Sequence, residues 1–178
     1  MAYSFTENRA GQLQIANTDS GVTMANGSSA IPTPPNTLGQ VCRAADPTHG
    51  EGEFIMLVGV ASTVVGTLVA YNATTYQTAF TPNTAGTGTP VAVAMSACTA
   101  GLFGWYQIGG LAVINKTATQ VTAGVPVYQS ATTGSIMPTA ATGRQILGAR
   151  SANLATVTTT TATLIVSINR PHLQGQIT

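Results

Sequence analysis

The feature that most constrains the fold is a succession of short apolar runs, from Phe54 onward, separated by turn-forming residues. The runs are rich in Val, Ile, Ala and Thr, and the breaks carry Gly, Asn and Pro. β-Branched side chains favour strands, and glycine and asparagine tolerate the backbone angles of tight turns. We therefore predict an all-β chain with a compact β-barrel or β-sandwich-like domain. The predicted strands cover 54–60, 63–71, 76–80, 90–97, 104–115, 125–129, 135–137, 144–150 and 162–169.

The run from Phe54 to Ala70 has no charge, and a membrane helix is the alternative interpretation of it. It lies at the lower limit for spanning a bilayer and lacks flanking Lys, Arg or Trp anchors. Breaks near Ala61–Ser62 and at Gly66 favour two buried strands joined by a turn, which is the interpretation we adopt. The N-terminus has no signal-peptide pattern, so we expect synthesis in the host cytoplasm and no membrane partner.

Charged residues make up only 6% of the chain, so Thr, Ser, Asn and Gln must supply most of the polar surface. All the acidic residues precede Phe54, and the formal net charge of +1 gives no basic patch for nucleic acid. General acid–base and metal catalysis rely on carboxylates and imidazoles. From Phe54 onward the only such side chain is His172, so we predict no enzymatic activity and no cofactor.

One segment, DPTHGEGE, gathers four side chains that could ligate a metal: Asp46, His49, Glu51 and Glu53. Their spacing matches no known ligand template. We interpret the segment as a solvated, glycine-containing turn and predict no metal site.

Two further pairs of residues allow two interpretations each. Trp105 and Tyr106 could line a sugar site, but the alternation around them favours packing in a core or a subunit interface. Cys42 and Cys98 could form a disulfide, but no Cys-x-x-Cys spacing occurs, and we favour two reduced, buried thiols.

The first 53 residues are predicted to form a long extended N-terminal arm. They are rich in Asn, Gly, Ser, Thr and Pro, and the stretch IPTPPNT at 31–37 favours an extended backbone. Because the apolar residues of this arm are isolated, we expect them to act as anchors on another protein. The predicted contact residues are Phe5, Leu13, Ile15, Leu38 and Val41. Residues 172–178 are predicted to be a surface tail.

The segment 123–171 carries a pattern of turn glycines and apolar strands. It reads Gly-x-Pro-Val-Tyr, then Gly-x-Ile, then Ile-Leu-Gly-x-Arg, and finally an apolar strand. These positions are Gly124, Pro126, Val127, Tyr128, Gly134, Ile136, Ile146, Leu147, Gly148, Arg150 and Leu164 to Ile168. The pattern resembles the small β-domain of tailed-phage capsid decoration, or cement, proteins. The resemblance covers the last third of the chain well and the region from Phe54 more loosely.

The resemblance implies a virion structural protein on the capsid exterior that bridges adjacent major capsid protein subunits. It implies a β-domain over 54–171, assembly as a homotrimer, and an arm that lies over neighbouring shell subunits. A phage head-fibre or tail adhesin that binds host surface glycans is the alternative, and the Trp105–Tyr106 pair is the feature that favours it. A cell-wall hydrolase and the shell protein itself are disfavoured, the first because carboxylates are missing and the second because no long helix is predicted.

Overall fold

A computed structural model describes residues 2–6, 11–22 and 32–176 of the chain. These residues contain twelve β-strands and no helix, which confirms the predicted all-β fold. Each predicted strand overlaps a strand of the structure, with bounds that differ by a few residues. The strands are β1 (Ser4–Phe5), β2 (Thr18–Asp19), β3 (Val41–Asp46), β4 (Gly50–Val58), β5 (Leu68–Tyr71), β6 (Thr78–Phe80), β7 (Val91–Ala94), β8 (Phe103–Asn115), β9 (Pro126–Gln129), β10 (Ile136–Met137), β11 (Gln145–Ser151) and β12 (Thr163–Leu173).

The strands form one large antiparallel sheet in the order β1-β3-β4-β8-β12-β11-β9-β10. Two further elements join it at the side: β2 pairs with β8, and β7 connects β8 to the β5–β6 hairpin. In the described part of the chain the sheet does not close into a barrel, so of the two predicted forms the sandwich-like one fits. No helix among the described residues is long and apolar enough to cross a membrane.

Strand β8 is the longest strand, and its two halves pair with different partners. Residues 103–109 pair with β4, and residues 109–115 pair with β12. The change occurs at Gly109–Gly110, where the register with β4 shifts and Gly110 adopts a positive φ of 92°. A Cβ atom on Gly110 would lie 2.5 Å from the carbonyl oxygen of Glu51. Only glycine fits this close approach, and the bend allows one strand to serve both parts of the sheet.

Buried side chains of the described residues form three clusters. The N-terminal core contains Tyr3, Phe5, Ile15, Ala44, Phe54, Met56, Met95, Phe103 and Trp105. The middle core contains Ile55, Leu57, Val69, Ala92, Ala94, Cys98, Tyr106 and Ile108. The C-terminal core contains Leu68, Ala70, Val91, Val93, Ala112, Ile114, Val121, Val127, Ile136, Ile146, Leu164, Val166, Ile168 and Leu173.

Strand β4 is buried on both faces, which explains the uninterrupted apolar run that begins at Phe54. Phe54 and Met56 point into the N-terminal core, whereas Ile55 and Leu57 point into the middle core. A strand that is covered on both sides needs apolar residues at every position rather than at alternate ones. The run continues into a turn at 59–67, with positive φ at Ser62 and Gly66, and then into β5. The prediction of two strands joined by a turn is confirmed.

The predicted boundary between arm and domain, at 53/54, falls inside β4. Residues 41–53 are not an extended arm, because they form β3 and the first part of β4, which pair with each other from Val41 to Asp46. The predicted tail also begins inside a strand: His172 and Leu173 belong to β12 and pair with β11. Both errors arise because charged and polar residues on one face of a strand resemble a loop when only composition is considered.

Candidate functional site

The residues predicted to contact another protein lie, with one exception, against the chain's own sheet. Phe5 and Ile15 are buried in the N-terminal core. Leu13 and Leu38 are partly buried and pack against the same core. Val41 remains 43% exposed. In this structure the first four side chains are therefore occupied by intramolecular packing, and only Val41 faces outward.

The described residues 2–6 and 11–15 are held on the sheet by aromatic and polar groups. The indole Nε1 of Trp105 donates a hydrogen bond to the carbonyl oxygen of Leu13 over 2.7 Å. The rings of Phe5 and Trp105 pack edge to face with centroids 5.9 Å apart. The hydroxyl of Tyr3 donates to the carbonyl oxygen of Leu111 over 2.9 Å and accepts from Gln107 Nε2. Burial raises the pKa of Tyr3, Gln107 counteracts this, and the nearby charge of Asp46 adds to the rise.

Asp46 organises the turn between β3 and β4. Its Oδ1 accepts hydrogen bonds from the backbone amides of Thr48 and His49, and its Oδ2 accepts one from the amide of Ala2 over 2.6 Å. The Nδ1 of His49 lies 3.1 Å from Oδ1. Burial favours a higher pKa, but these hydrogen bonds outweigh it and hold the pKa of the Asp46 carboxyl well below its usual range.

The structure separates the four side chains that could have ligated a metal. Asp46 and His49 contact each other, while Glu51 and Glu53 point toward Arg43. No group of three or more His, Cys, Asp or Glu side chains within the described ranges could hold a metal ion. The interpretation as a solvated turn is wrong for Asp46, whose side chain is buried, although Pro47 and Thr48 are exposed.

Trp105 and Tyr106 are core residues, as the alternation predicted. Both are fully buried, Trp105 in the N-terminal core and Tyr106 in the middle core. Burial strongly raises the pKa of Tyr106, with smaller increases from the neighbouring Cys98. Neither ring is accessible to a glycan, so the feature that favoured a glycan-binding adhesin is not on the surface.

The two cysteines lie in different environments. Cys98 is a buried free thiol in the middle core, and burial raises its pKa. Cys42 is half-buried and packs against the N-terminal core. Because Cys98 carries a free thiol, the disulfide between the two residues is not formed.

A row of polar residues crosses the sheet at the double glycine of β8, and we call it the charged row. Arg43 pairs with Glu53 across β3 and β4, Glu53 faces Gly109 of β8, and Gly109 faces Asn169 of β12. Glu53 lies 3.2 Å from Arg43 and 3.4 Å from Arg170, whose guanidinium reaches across the glycine. Glu51 adds a 4.0 Å contact with Arg43. Without side chains at Gly109 and Gly110, the row contains a hollow of about 280 Å³.

The charged row was not predicted from the sequence, because Arg43 and Glu53 fall in the segment assigned to the arm and Arg170 was assigned to no site. The available signal was the pair Gly109–Gly110 inside an apolar strand, which indicates a bulge or a close backbone approach. The partners of Glu53 could not be identified in this way, because Arg170 lies 117 residues away in the chain.

A second surface feature is a set of three exposed apolar side chains on two loops, Val64, Val65 and Leu154, which we call the apolar tip. Their exposed fractions are 54%, 56% and 102%. Val64 and Val65 belong to the turn after β4, which is hydrogen-bonded to Asn115 through Gly66 and Val65. Leu154 lies in the loop from β11 to β12, whose Ala162 carbonyl accepts from the amide of Lys116. The two loops are therefore fixed at the same end of β8.

No protein-family model matches the chain, and no match was found among the curated proteins. The glycine-and-strand pattern of 123–171 can nevertheless be located in the fold. Gly124 precedes β9, Gly134 precedes β10, and Gly148 lies at a bulge in β11. All three have a positive φ, of 69°, 75° and 75°. Each of these glycines thus occupies a backbone conformation that other residues rarely adopt.

Proposed function

We propose that this protein is a virion structural protein that decorates the outside of a tailed-phage capsid and bridges adjacent major capsid protein subunits. The observation that carries the proposal is the pattern of turn glycines and apolar strands in 123–171, which resembles the β-domain of such proteins. In this chain the pattern occupies four strands, β9 to β12, and its glycines lie at turns and a bulge. The protein would be made in the host cytoplasm and would act on the assembled particle.

The distribution of charge supports a surface that is covered in an assembly. Between residues 54 and 143 the only charged side chain is Lys116. Its Nζ donates to the carbonyl oxygens of Thr117 and Thr119, and burial lowers its pKa. Neutral surfaces with little net charge resist precipitation poorly in isolation. A partner that covers such a surface removes this disadvantage.

The apolar tip is the contact surface that we assign to the shell, in place of the buried arm residues. The tip is ordered before binding: Thr63 Oγ1 donates to the Val60 carbonyl over 2.7 Å, and Val121 and Val157 exchange two backbone hydrogen bonds of 2.9 Å. A preordered loop loses little conformational entropy when it binds. A homotrimer would present three such tips, and the linked contacts would bind more tightly than one alone.

The test has two parts. The full-length protein is co-sedimented with purified capsids of the phage that encodes it, and its copy number in purified particles is measured relative to the shell protein. We expect a copy number in fixed proportion to the shell subunits and a trimer by analytical ultracentrifugation. Leu154→Asp and Val65→Asp should reduce occupancy at least about tenfold, since a charge would be buried against an apolar surface. Thr74→Asp, in the exposed β5–β6 turn, is the matched control and should leave occupancy unchanged.

A copy number of only a few per particle would contradict the decoration role and favour a fibre or adhesin. Normal occupancy of the Leu154→Asp protein would leave decoration intact but remove the apolar tip as the contact surface.

A further inference from the structure

Three hollows on the sheet share bordering residues, and we call the row that they form the furrow. The hollow in the charged row and a second one of about 400 Å³ share Asn169. The second hollow shares Gln145 with a third one of about 260 Å³, which reaches Tyr128. The side chains that border this furrow and matter for its chemistry are Arg43, Glu53, Asn169, Arg150, Gln145 and Tyr128.

The furrow runs across the strands rather than along them. Arg43, Glu53, Gly109 and Asn169 occupy successive positions on β3, β4, β8 and β12. Arg150 of β11 continues in the neighbouring row, where it pairs with Ser167 of β12 and Pro126 of β9. From β3 to β9 the furrow spans five interstrand spacings, or about 24 Å. This length fits an extended polymer better than a compact small molecule.

Two glycines of the furrow lie where neighbouring atoms of the chain come close. Gly109 places no side chain between Glu53 and Asn169, and a Cβ atom there would lie 3.2 Å from the Cβ of Glu53. Gly148, at the bulge of β11, does the same beside Asn169, where a Cβ atom would lie 2.6 Å from the Asn169 carbonyl oxygen. Both glycines are therefore placed where other parts of the chain approach closely, and neither adds a side chain to the furrow.

The polar groups of the furrow combine donors and acceptors in a way that suits hydroxyl groups. The guanidinium groups of Arg43 and Arg150 can only donate, the carboxylate of Glu53 can only accept, and the amides of Asn169 and Gln145 do both. A sugar hydroxyl also donates and accepts, so that a saccharide can use all of these groups. The guanidinium of Arg150 donates one hydrogen bond to the Gly124 carbonyl oxygen over 2.7 Å, and it has further N–H groups that can donate to a ligand. The ring of Tyr128 offers an apolar surface at one end.

Other polymers fit the furrow less well. Strand addition by a peptide requires an unpaired sheet edge, whereas the backbone groups of these strands are paired with one another. Arg43 and Arg170 balance the charges of Glu51 and Glu53, so the charged row offers no net positive charge to hold an acidic polysaccharide or a nucleic acid. We therefore propose that the furrow from Arg43 to Tyr128 binds an extended segment of a neutral polysaccharide. This activity goes beyond the proposed decoration of a capsid and uses a different surface from the apolar tip.

The test is a titration of the ¹⁵N-labelled full-length protein with linear neutral hexasaccharides: maltohexaose, cellohexaose and mannohexaose. At sugar concentrations up to about 10 mM, suited to millimolar affinity, at least one of them should shift the backbone amides of Gly109, Gly148 and Asn169. The amides of Gly66 and Gly101, which are outside the furrow, should not move. Asn169→Ala and Arg150→Gln, both at exposed side chains, should weaken binding about tenfold, since each removes a hydrogen bond to the sugar.

Arg144→Gln is the matched control for the loss of one positive charge. The Arg144 guanidinium donates to Asn83 over 2.6 Å and does not line the hollows, so that its loss should leave sugar affinity unchanged. Capsid occupancy of the Asn169→Ala protein should also stay normal, which separates this proposal from the decoration role. The proposal is overturned if none of the hexasaccharides shifts these amides, if the shifts map to another surface, or if oligogalacturonate or oligoglutamate binds more tightly.

Discussion

The indole nitrogen of Trp105 donates a 2.7 Å hydrogen bond to the carbonyl oxygen of Leu13, a residue 92 positions earlier in the chain. This bond fastens the chain at Leu13 to the first part of β8. It also explains why a tryptophan, rather than another aromatic residue, suits this position: the ring fills the core and its polar atom satisfies a backbone group that packing removes from water.

Replacing Trp105 by Phe should lower the free energy of unfolding by about 1–3 kcal/mol, because the Leu13 carbonyl would lose its partner in a partly buried place. Urea denaturation followed by circular dichroism measures this loss. In the wild-type protein, the indole N–H should exchange slowly with solvent. A stability change below about 0.5 kcal/mol would mean that the bond contributes little to folding.

Phe5 and Ile15 should behave as core residues rather than as partner contacts. Phe5→Ala and Ile15→Ala should each lower the free energy of unfolding by about 2–5 kcal/mol, since each leaves a cavity in the N-terminal core. Val41→Ala, at a side chain that is 43% exposed, is the control and should change stability by less than about 0.5 kcal/mol. Unaltered stability of the Phe5→Ala protein, with loss of capsid binding, would instead support the arm as a partner-binding element.

Asp46 should make stability depend on pH in the acid range. Its pKa is lower in the folded chain than in the unfolded one, so its stabilising contribution is complete above the unfolded pKa of about 4 and is lost as the pH falls below that value. Asp46→Asn should therefore be less stable than the wild type at pH 7, and the difference should shrink below about pH 4. Thr48→Ala keeps the carboxylate and the turn amides and should retain the wild-type profile. Chemical denaturation at several pH values tests this, and a difference that does not change with pH would contradict it.

Gly110 should be the least replaceable glycine of β8. Gly110→Ala places a Cβ atom 2.5 Å from the Glu51 carbonyl oxygen and forces a non-glycine residue into a positive φ. Gly124 also has a positive φ, but a Cβ atom there would meet nothing within 4 Å. Gly124→Ala should therefore lower the free energy of unfolding by about 1–2 kcal/mol, from backbone strain alone. Gly110→Ala should lower the free energy of unfolding by about 1–3 kcal/mol more than Gly124→Ala, because of the clash. Thermal unfolding of both variants measures this difference, and equal losses of stability would contradict the prediction.

The sequence alone determined the strands from Phe54 onward and most of the turns, because these depend on short-range preferences. Gly66, Gly134 and Gly143 all adopt the positive φ that glycine permits at little cost. At Tyr71-Asn72-Ala73, the Asn72 side chain accepts from the amides of Thr74 and Thr75, as its preference for turns indicates. The burial of Trp105 followed from the alternation of the residues around it.

Only the tertiary structure decided which surface residues such as Phe5 and Ile15 cover and where the charges meet. Isolated apolar residues such as Phe5 and Ile15 have no periodicity, so nothing local distinguishes an anchor on a partner from an anchor on the chain's own sheet. The contact between Glu53 and Arg170 requires β4 and β12 to lie on either side of Gly109. Such an arrangement depends on how the whole chain buries its apolar surface. Because that burial involves residues far apart in the chain, no short segment of the sequence predicts it.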